Sequence, residues 1–315
     1  MKDTASEPVV PVPVASVSAT PTPAWPARFD RRLLLGILFI VLSGMIFPVM
    51  NGMAKTLGVD YNSIQISWAR AFGHIIFMLM FFLPRFGLGV LRTQRPGVQV
   101  ARSAMLFTSN VAFFFAITFI PIGKAASISM MAPLVVALLA WPMLGERTTL
   151  GRLVALGIGF AGVLIVIRPG TAVFHWASLL VMLSASSYAL YQVYTRRIAS
   201  IDSPETSALY SSAVGAIGML FVIPFVWITP HAWLDIVLFC SLGVLGGLGH
   251  YCVARALNYA PANIVSPFQY FQLLGSVAVG YLVFDEMPDV MTWLGAAIIV
   301  ASGLYIGWTQ SRRKA

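Results

Sequence analysis

The stretch PIGKAASISMMAPLVVALLAWPMLGE (121–146) comes back 140 residues later as PANIVSPFQYFQLLGSVAVGYLVFDE (261–286). In each copy a proline opens an apolar run long enough to cross a bilayer, a glutamate closes it, and a second apolar run follows, to Arg168 or Thr309. Few letters are shared. Laid without a gap, 121–164 and 261–304 have in common only Pro121/Pro261, Leu134/Leu274, Glu146/Glu286, Ile158/Ile298, Ala161/Ala301 and Leu164/Leu304. The signal is therefore one of period and punctuation, the internal symmetry expected of a carrier built from two repeats.

Around this pair lies a chain of 315 residues that is 58% hydrophobic and only 10% charged, with a mean hydropathy of +0.84. That is more apolar sequence than the interior of one soluble domain can hold, and it indicates an all-α polytopic membrane protein. The net charge of +9 would suggest nucleic acid in a soluble protein. Here the basic residues fall between apolar runs, where membrane orientation accounts for them, so no nucleic-acid partner is expected. Cys240 and Cys252 share one expected helix about 18 Å apart, too far for a disulfide.

In chain order, residues 1–27 carry six prolines and no uninterrupted apolar stretch, which reads as a disordered cytoplasmic tail rather than a cleaved signal. Apolar runs then recur at roughly 33–54, 63–83, 101–120, 122–144, 150–168, 175–195, 206–228, 232–256, 262–284 and 289–309, each near the ~20 residues a bilayer core demands. Ten transmembrane helices are expected, five in a first repeat (28–170) and five in a second (171–310), with a basic end at 311–315. If the connections alternate sides, fifteen basic residues lie on one side against Lys55, Lys124 and Arg168 on the other. This places both termini in the cytoplasm, with the protein in a cell (inner) membrane. Five is odd, so the second repeat enters from the opposite face, and the two are inverted about an axis in the membrane plane.

Polar side chains within apolar runs are costly and therefore informative. Arg70 sits inside 63–83 with His74 one turn on, on the same face. Two readings of Arg70 stand: a structural clamp on helix-end carbonyls, or an anchor for a substrate carboxylate, whose shape a guanidinium matches with two prongs. Run 262–284 has Ser266, Gln269, Gln272 and Ser276 on one broad face after Pro267, and run 175–195 offers Ser184, Tyr188, Tyr191, Gln192 and Thr195. Run 33–54 repeats that theme with Ser43, Phe47, Pro48 and Asn51. Ser103, Asn110 and Phe114 follow in 101–120, and His250 and Tyr251 stand behind the glycines Gly243, Gly246, Gly247 and Gly249. Singly, each reads equally as interhelical packing; together they outline a central pocket for a small-molecule metabolite.

The absences narrow the chemistry. The sequence has no phosphate-cradling GxxxxGK[ST], no HExxH, no Cys/His metal set and no GxSxG, so no catalytic residue, metal or cofactor is expected, and the chain reads as a non-enzyme. Every Asp and Glu lies in a tail or at a helix end, which favours anionic or zwitterionic cargo over lipophilic cations. Any proton coupling would fall to His74 or His250. A multidrug-type exporter and a non-transporting membrane protein remain the alternatives, and a homodimer is left open.

Several segments resemble a known family. These are SWARAF (67–72), FAITFIPIGKAASISMMAPLVVALLAWPMLGERTTLGRLVALGIGFAGVLIVIRPG (115–170) and its echo ARALNYAPANIVSPFQYFQLLGSVAVGYLVFDEMPDVMTWLGAAIIVASGLYIGW (254–308). They resemble the EamA-type branch of the drug/metabolite transporter superfamily, over about residues 33–309. The resemblance implies alternating access through a central cavity, with cargo among amino acids, S-adenosylmethionine, riboflavin and nucleotide-like compounds. NGMAKTL (51–57) and ISWARAF (66–72) are similar to the S-adenosylmethionine-uptake-like branch. The acidic DEMPD turn (285–289) and the proline-rich tail depart from the family pattern.

Overall fold

The computed structural model describes residues 31–144, 150–172, 174–198, 201–259 and 266–311. Glu146, Pro261 and the tail 1–27 fall outside them. Among the described residues the regular secondary structure is all helical, with no strand. The helices are α1 (Arg31–Leu57), α2 (Ser63–Phe86), α3 (Pro96–Ala116), α4 (Ile122–Ser129), α5 (Ala132–Leu144), α6 (Leu150–Ile167), α7 (Ala177–Ile198), α8 (Pro204–Tyr210), α9 (Ile223–Val226), α10 (Trp233–Tyr259), α11 (Phe271–Phe284) and α12 (Val290–Ser311).

Three helical segments among the described residues, Arg31–Leu57, Ser63–Leu91 and Trp233–Val253, are long and apolar enough to cross a membrane by length and composition. Ile122–Val136, Leu153–Ile167, Phe268–Phe284 and Val290–Tyr305 are shorter apolar helices. α3 and α7 have the length, but their apolar character is diluted by inward polar residues such as Ser103, Ser109, Ser184 and Ser187, all buried.

Three of the expected continuous runs are broken. The run at 122–144 parts between α4 and α5, where Met130 N–H reaches back to both Ala126 O and Ser127 O and Pro133 follows. Its repeat, at 262–284, changes at the same register: a 3₁₀ turn over Ser266–Tyr270 gives way to α11, and Tyr270 is Met130 displaced by 140 residues. The run expected at 206–228 is not one helix. It forms α8, a π turn at Val214–Gly218 and the single turn α9. Glycine and proline weaken a helix here, and Gly215 lies so close to Phe107 that a Cβ would meet its ring at 2.4 Å.

Packing repeats when the halves are exchanged. α1 packs on α10 as α7 packs on α3, and α1 on α11 as α7 on α5, while α6 and α12, each other's counterparts, pack together. The main core runs through this arrangement, from Met50, Ala54 and Leu57 through Ile117–Ile128 to Val163, Val181 and Ile299.

Polar clasps join the halves at both ends of the bundle. Where α1 ends, Lys55 Nζ lies 2.5 Å from Glu286 Oε1, and Glu286 Oε2 accepts from Ile122 N at 3.1 Å. Nearby, Arg168 pairs with Asp289 just before α12. The Arg168 guanidinium and then Thr292 hold the Asp289 carboxyl down at about 2. At the other end Asp202 accepts from Thr93 Oγ1 at 2.5 Å, Gln99 Nε2 at 2.8 Å and Gln94 N at 3.2 Å. Burial works to raise this carboxyl, but the bonds from Thr93, Gln99 and Gln94 together with the Arg102 charge outweigh it and keep Asp202 below the ordinary range.

Candidate functional site

A cavity opens where the two broken helices meet α1, α2, α3, α7 and α10. The breaks explain its position, since neither α4–α5 nor the turn before α11 fills the centre with a continuous cylinder. Pro48 within α1 acts in the same direction by removing one backbone donor. α1 and α11 cross beside it at Gly44 and Gly275, where a Cβ on Gly275 would sit 2.8 Å from Pro48 Cγ.

The walls combine aromatic and amide side chains. Phe47 from α1, Phe114 from α3 and Tyr188 from α7 supply the ring faces; Asn51, Asn110, Gln192, Gln269 and Gln272 supply both donors and acceptors. The repeat is visible in the lining. Ser43, Phe47 and Asn51 on α1 have Ser184, Tyr188 and Gln192 as counterparts 141 residues on, and all six face the cavity. Ser109 and Ser184 close one seam through a 3.0 Å hydrogen bond between α3 and α7.

Arg70 is the charge in this wall, only 2% exposed. Its Nε donates to Met50 Sδ at 3.3 Å and its Nη2 to His250 Nε2 at 3.0 Å. Neither partner is an anion. The glycines of α10 make room for this group. A Cβ on Gly246 would stand 3.3 Å from Arg70 Nε, and one on Gly249 would strike the Phe47 ring at 2.5 Å.

Ten of the thirteen residues expected at the site line the cavity: Phe47, Asn51, Arg70, Asn110, Phe114, Tyr188, Gln192, His250, Gln269 and Gln272. His74 and Tyr191 stand one layer behind. His74 is fully buried, stacks on His250 with centroids 5.7 Å apart, and shares a 3.0 Å bond between Nδ1 and Ser212 Oγ. Tyr191 meets the His250 ring edge-on at 6.5 Å, bonds Ser211 Oγ at 3.2 Å, and carries the Arg102 guanidinium over its face at 5.2 Å. Tyr251 is not brought to the cavity. One residue past His250 it is turned by about 100° around α10, and it packs on Phe81 and Phe82 with Arg255 Nε donating to its hydroxyl.

Sequence reasoning passed over Met50, Phe113, Met130 and Tyr270, apolar or aromatic lining that looks like any core residue. It counted Arg102 only as one of the fifteen basic residues on one side of the membrane. Arg102 is in fact 1% exposed, with Nη2 on Ser207 O and Ser211 Oγ and Nη1 on Thr195 Oγ1. The polar spacing Gln99, Arg102, Ser103 at the start of α3 was the available signal, one helical face that a solvated loop would not need.

A helical bundle whose two halves together line a cavity of aromatic, apolar and amide side chains fits the architecture of a carrier. The chain belongs to the EamA-like transporter family, whose pattern matches residues 34–168 and again 175–308, within the drug/metabolite transporter superfamily. It is a membrane transporter with a small-molecule substrate and not an enzyme. The S-adenosylmethionine uptake transporter of Rickettsia prowazekii (strain Madrid E) is 29% identical over 282 residues, covering 90% of this chain and 95% of that protein. The riboflavin transporter of Rhizobium johnstonii is 28% identical over 292 residues, with coverage of 90% and 94%. The pseudopaline exporter of Pseudomonas aeruginosa is 27% identical over 283 residues, with coverage of 87% and 96%. A crystal structure at 20% identity shares the fold, with a TM-score of 0.63 over 90% of this chain and 97% of that one.

Proposed function

We propose that the chain is a secondary transporter that moves a small carboxylate-bearing organic metabolite, an amino acid or an amino-acid-derived compound such as S-adenosylmethionine, by alternating access through the central cavity. Ten helices in two inverted five-helix repeats, 28–170 and 171–310, carry out the exchange in the inner membrane with both termini in the cytoplasm.

The observation that supports this most is Arg70, buried in the cavity wall with neutral hydrogen-bond partners and, among the described residues, no ion-paired carboxylate. A buried cation without an anion is costly, and a substrate carboxylate supplies the missing charge in a geometry the guanidinium fork fits. Phe47, Phe114 and Tyr188 suit an apolar, aromatic or sulfonium-bearing body. Among the described lining residues there is no carboxylate, which speaks against a carrier of lipophilic cations.

The test is a thermal-shift panel on the purified chain followed by liposome flux, comparing each hit with its decarboxylated analogue. Stabilisation by the acid and not by the analogue is expected; equal binding of the two sinks the carboxylate anchor. Arg70→Lys keeps the charge but loses the fork, so affinity for the acid should fall about ten- to hundred-fold, the equivalent of roughly 1.5–3 kcal/mol for a charged hydrogen bond. Loss of folded yield with unchanged affinity would instead mark Arg70 as a structural clamp.

A second reading is favoured by the amide groups Asn51, Asn110, Gln192, Gln269 and Gln272 between aromatic walls. They suit the edge of a planar heterocycle, the kind of cargo named for the riboflavin transporters among the relatives. Riboflavin therefore belongs in the panel, and its binding undiminished by Arg70→Gln would favour that reading.

A further inference from the structure

The contact between Arg70 and His250 fixes which way its proton points. A guanidinium only donates, so His250 Nε2, 3.0 Å from Nη2, is the acceptor and carries a lone pair. The imidazole is therefore neutral, with its hydrogen on Nδ1. Phe47 packs against the same ring, with centroids 5.2 Å apart and the planes at 64°. Among the described residues, the titratable and charged groups that face His250 are Arg70 and His74 from α2, Tyr191 from α7 and Arg102 from α3. None is a carboxylate. In the empty site the imidazole thus stands among cations and neutral groups.

A carboxylate docking on Arg70 changes that balance. Both Arg70 and His250 line the cavity, so a carboxylate docking on the Nη hydrogens that Arg70 has to spare comes to lie beside His250 Nε2. The Nε2 lone pair then stands next to an anion, an arrangement that repels. A proton on Nε2 reverses the sign: the imidazolium becomes a second donor, and the carboxylate is held by Arg70 through one oxygen and His250 through the other.

We propose that His250 is the coupling residue of this carrier, taking a proton from the aqueous phase onto Nε2 as a substrate carboxylate binds Arg70 and returning it to water when the substrate leaves. The inference rests on the carboxylate reading of the cavity. It deepens that reading by naming the co-transported ion. The added proton offsets the charge of the added carboxylate, so binding changes the net charge of the site only by the cationic groups the substrate itself carries. The repeat gives no second such residue, because the counterpart of His250 is Asn110, which also lines the cavity.

The test is calorimetry on the full-length chain in detergent, titrating S-adenosylmethionine, L-methionine and L-phenylalanine in buffers of different ionisation enthalpy. A buffer-dependent heat corresponding to roughly one proton taken up per bound ligand is expected, with the apparent Kd falling by up to about tenfold for each unit of acidification between about pH 8 and 6. His250→Gln keeps a hydrogen-bonding side chain but takes no proton, so the pH dependence should vanish; His74→Gln should retain it. Arg70-dependent binding with a buffer-independent heat and a flat Kd overturns the proton inference and leaves the carboxylate reading standing. Binding of none of the three acids overturns both. If His250→Gln fails to fold, the buffer dependence of the parent decides alone, and loss of the pH dependence in His74→Gln would refute the assignment to His250.

Discussion

Gly73 and Gly243 touch backbone to backbone: a Cβ built on Gly243 would lie 2.4 Å from Gly73 Cα and 2.9 Å from His74 N. This is where α2 and α10 cross, between Arg70 and His74 on one helix and ahead of His250 on the other. Gly243→Ala is expected to force the helices apart and lower stability by about 1–3 kcal/mol, read as a drop in melting temperature in detergent. Gly246→Ala, whose Cβ would meet only the Arg70 side chain at 3.3 Å, should cost less stability and more affinity. Equal melting of parent and Gly243→Ala would mean the crossing has slack.

The Lys55–Glu286 pair joins positions 231 residues apart with side chains 14% and 23% exposed. Lys55→Ala, Glu286→Gln and the double variant form a cycle in which a coupling of about 0.5–3 kcal/mol is expected. A coupling near zero in thermal or denaturant unfolding would show the contact to be incidental to the clasp.

Asp202 has its folded-state carboxyl held below the ordinary range, so the stability it contributes is present above the unfolded value of about 4 and is lost as pH falls through the lower folded value. Melting temperature should therefore fall on acidification below about pH 4, and Asp202→Asn should flatten that part of the profile. At neutral pH the same change weakens the bonds to Thr93 and Gln99 and should cost about 1–3 kcal/mol. A parent and variant with parallel acid profiles would assign the acid sensitivity elsewhere.

Asp285 ends α11 at φ 55°, ψ 34°, the left-handed conformation that glycine adopts without strain. The first copy of the repeat has Gly145 at this position. Asp285→Gly is expected to raise stability by up to about 1 kcal/mol, and Asp285→Val to lower it. Melting measurements in which both variants fall by the same amount would show that the aspartate side chain, not the backbone, matters at this turn.

Much of the cavity was legible because hydrocarbon penalises polar groups: Arg70, Asn51, Asn110 and Gln192 each interrupt an apolar run, so their inward direction follows from cost. Tyr251 misled because adjacency to His250 in sequence is not adjacency on a helix, where one step is about 100°. His74 and Tyr191 share a face with true lining residues but lie one layer deeper, a distance that periodicity does not encode. The fragmentation of 206–228 was hidden for a related reason. Its apolar composition satisfies a span, whereas Gly215, Gly218 and Pro224 determine that the backbone does not continue as one helix. Arg102 was missed because a charge near a helix start normally belongs to water, and its burial depends on carbonyl and hydroxyl oxygens from α7 and α8, which sequence separation conceals.

The Arg70–His250 contact spans 180 residues of chain, and this sets a problem of biosynthesis. At about 5–20 residues per second a ribosome needs on the order of ten to forty seconds to make the second partner after the first. During that interval α2 enters the bilayer with an arginine whose eventual neighbour does not yet exist, at an insertion cost of about 2.5–3.5 kcal/mol if it lies near the centre. Early-made elements must shelter it. Met50, the Nε partner on α1, is already in place when Arg70 emerges, so lesions at Met50 should surface first as misinserted or degraded nascent chains rather than as mature carriers with weakened affinity.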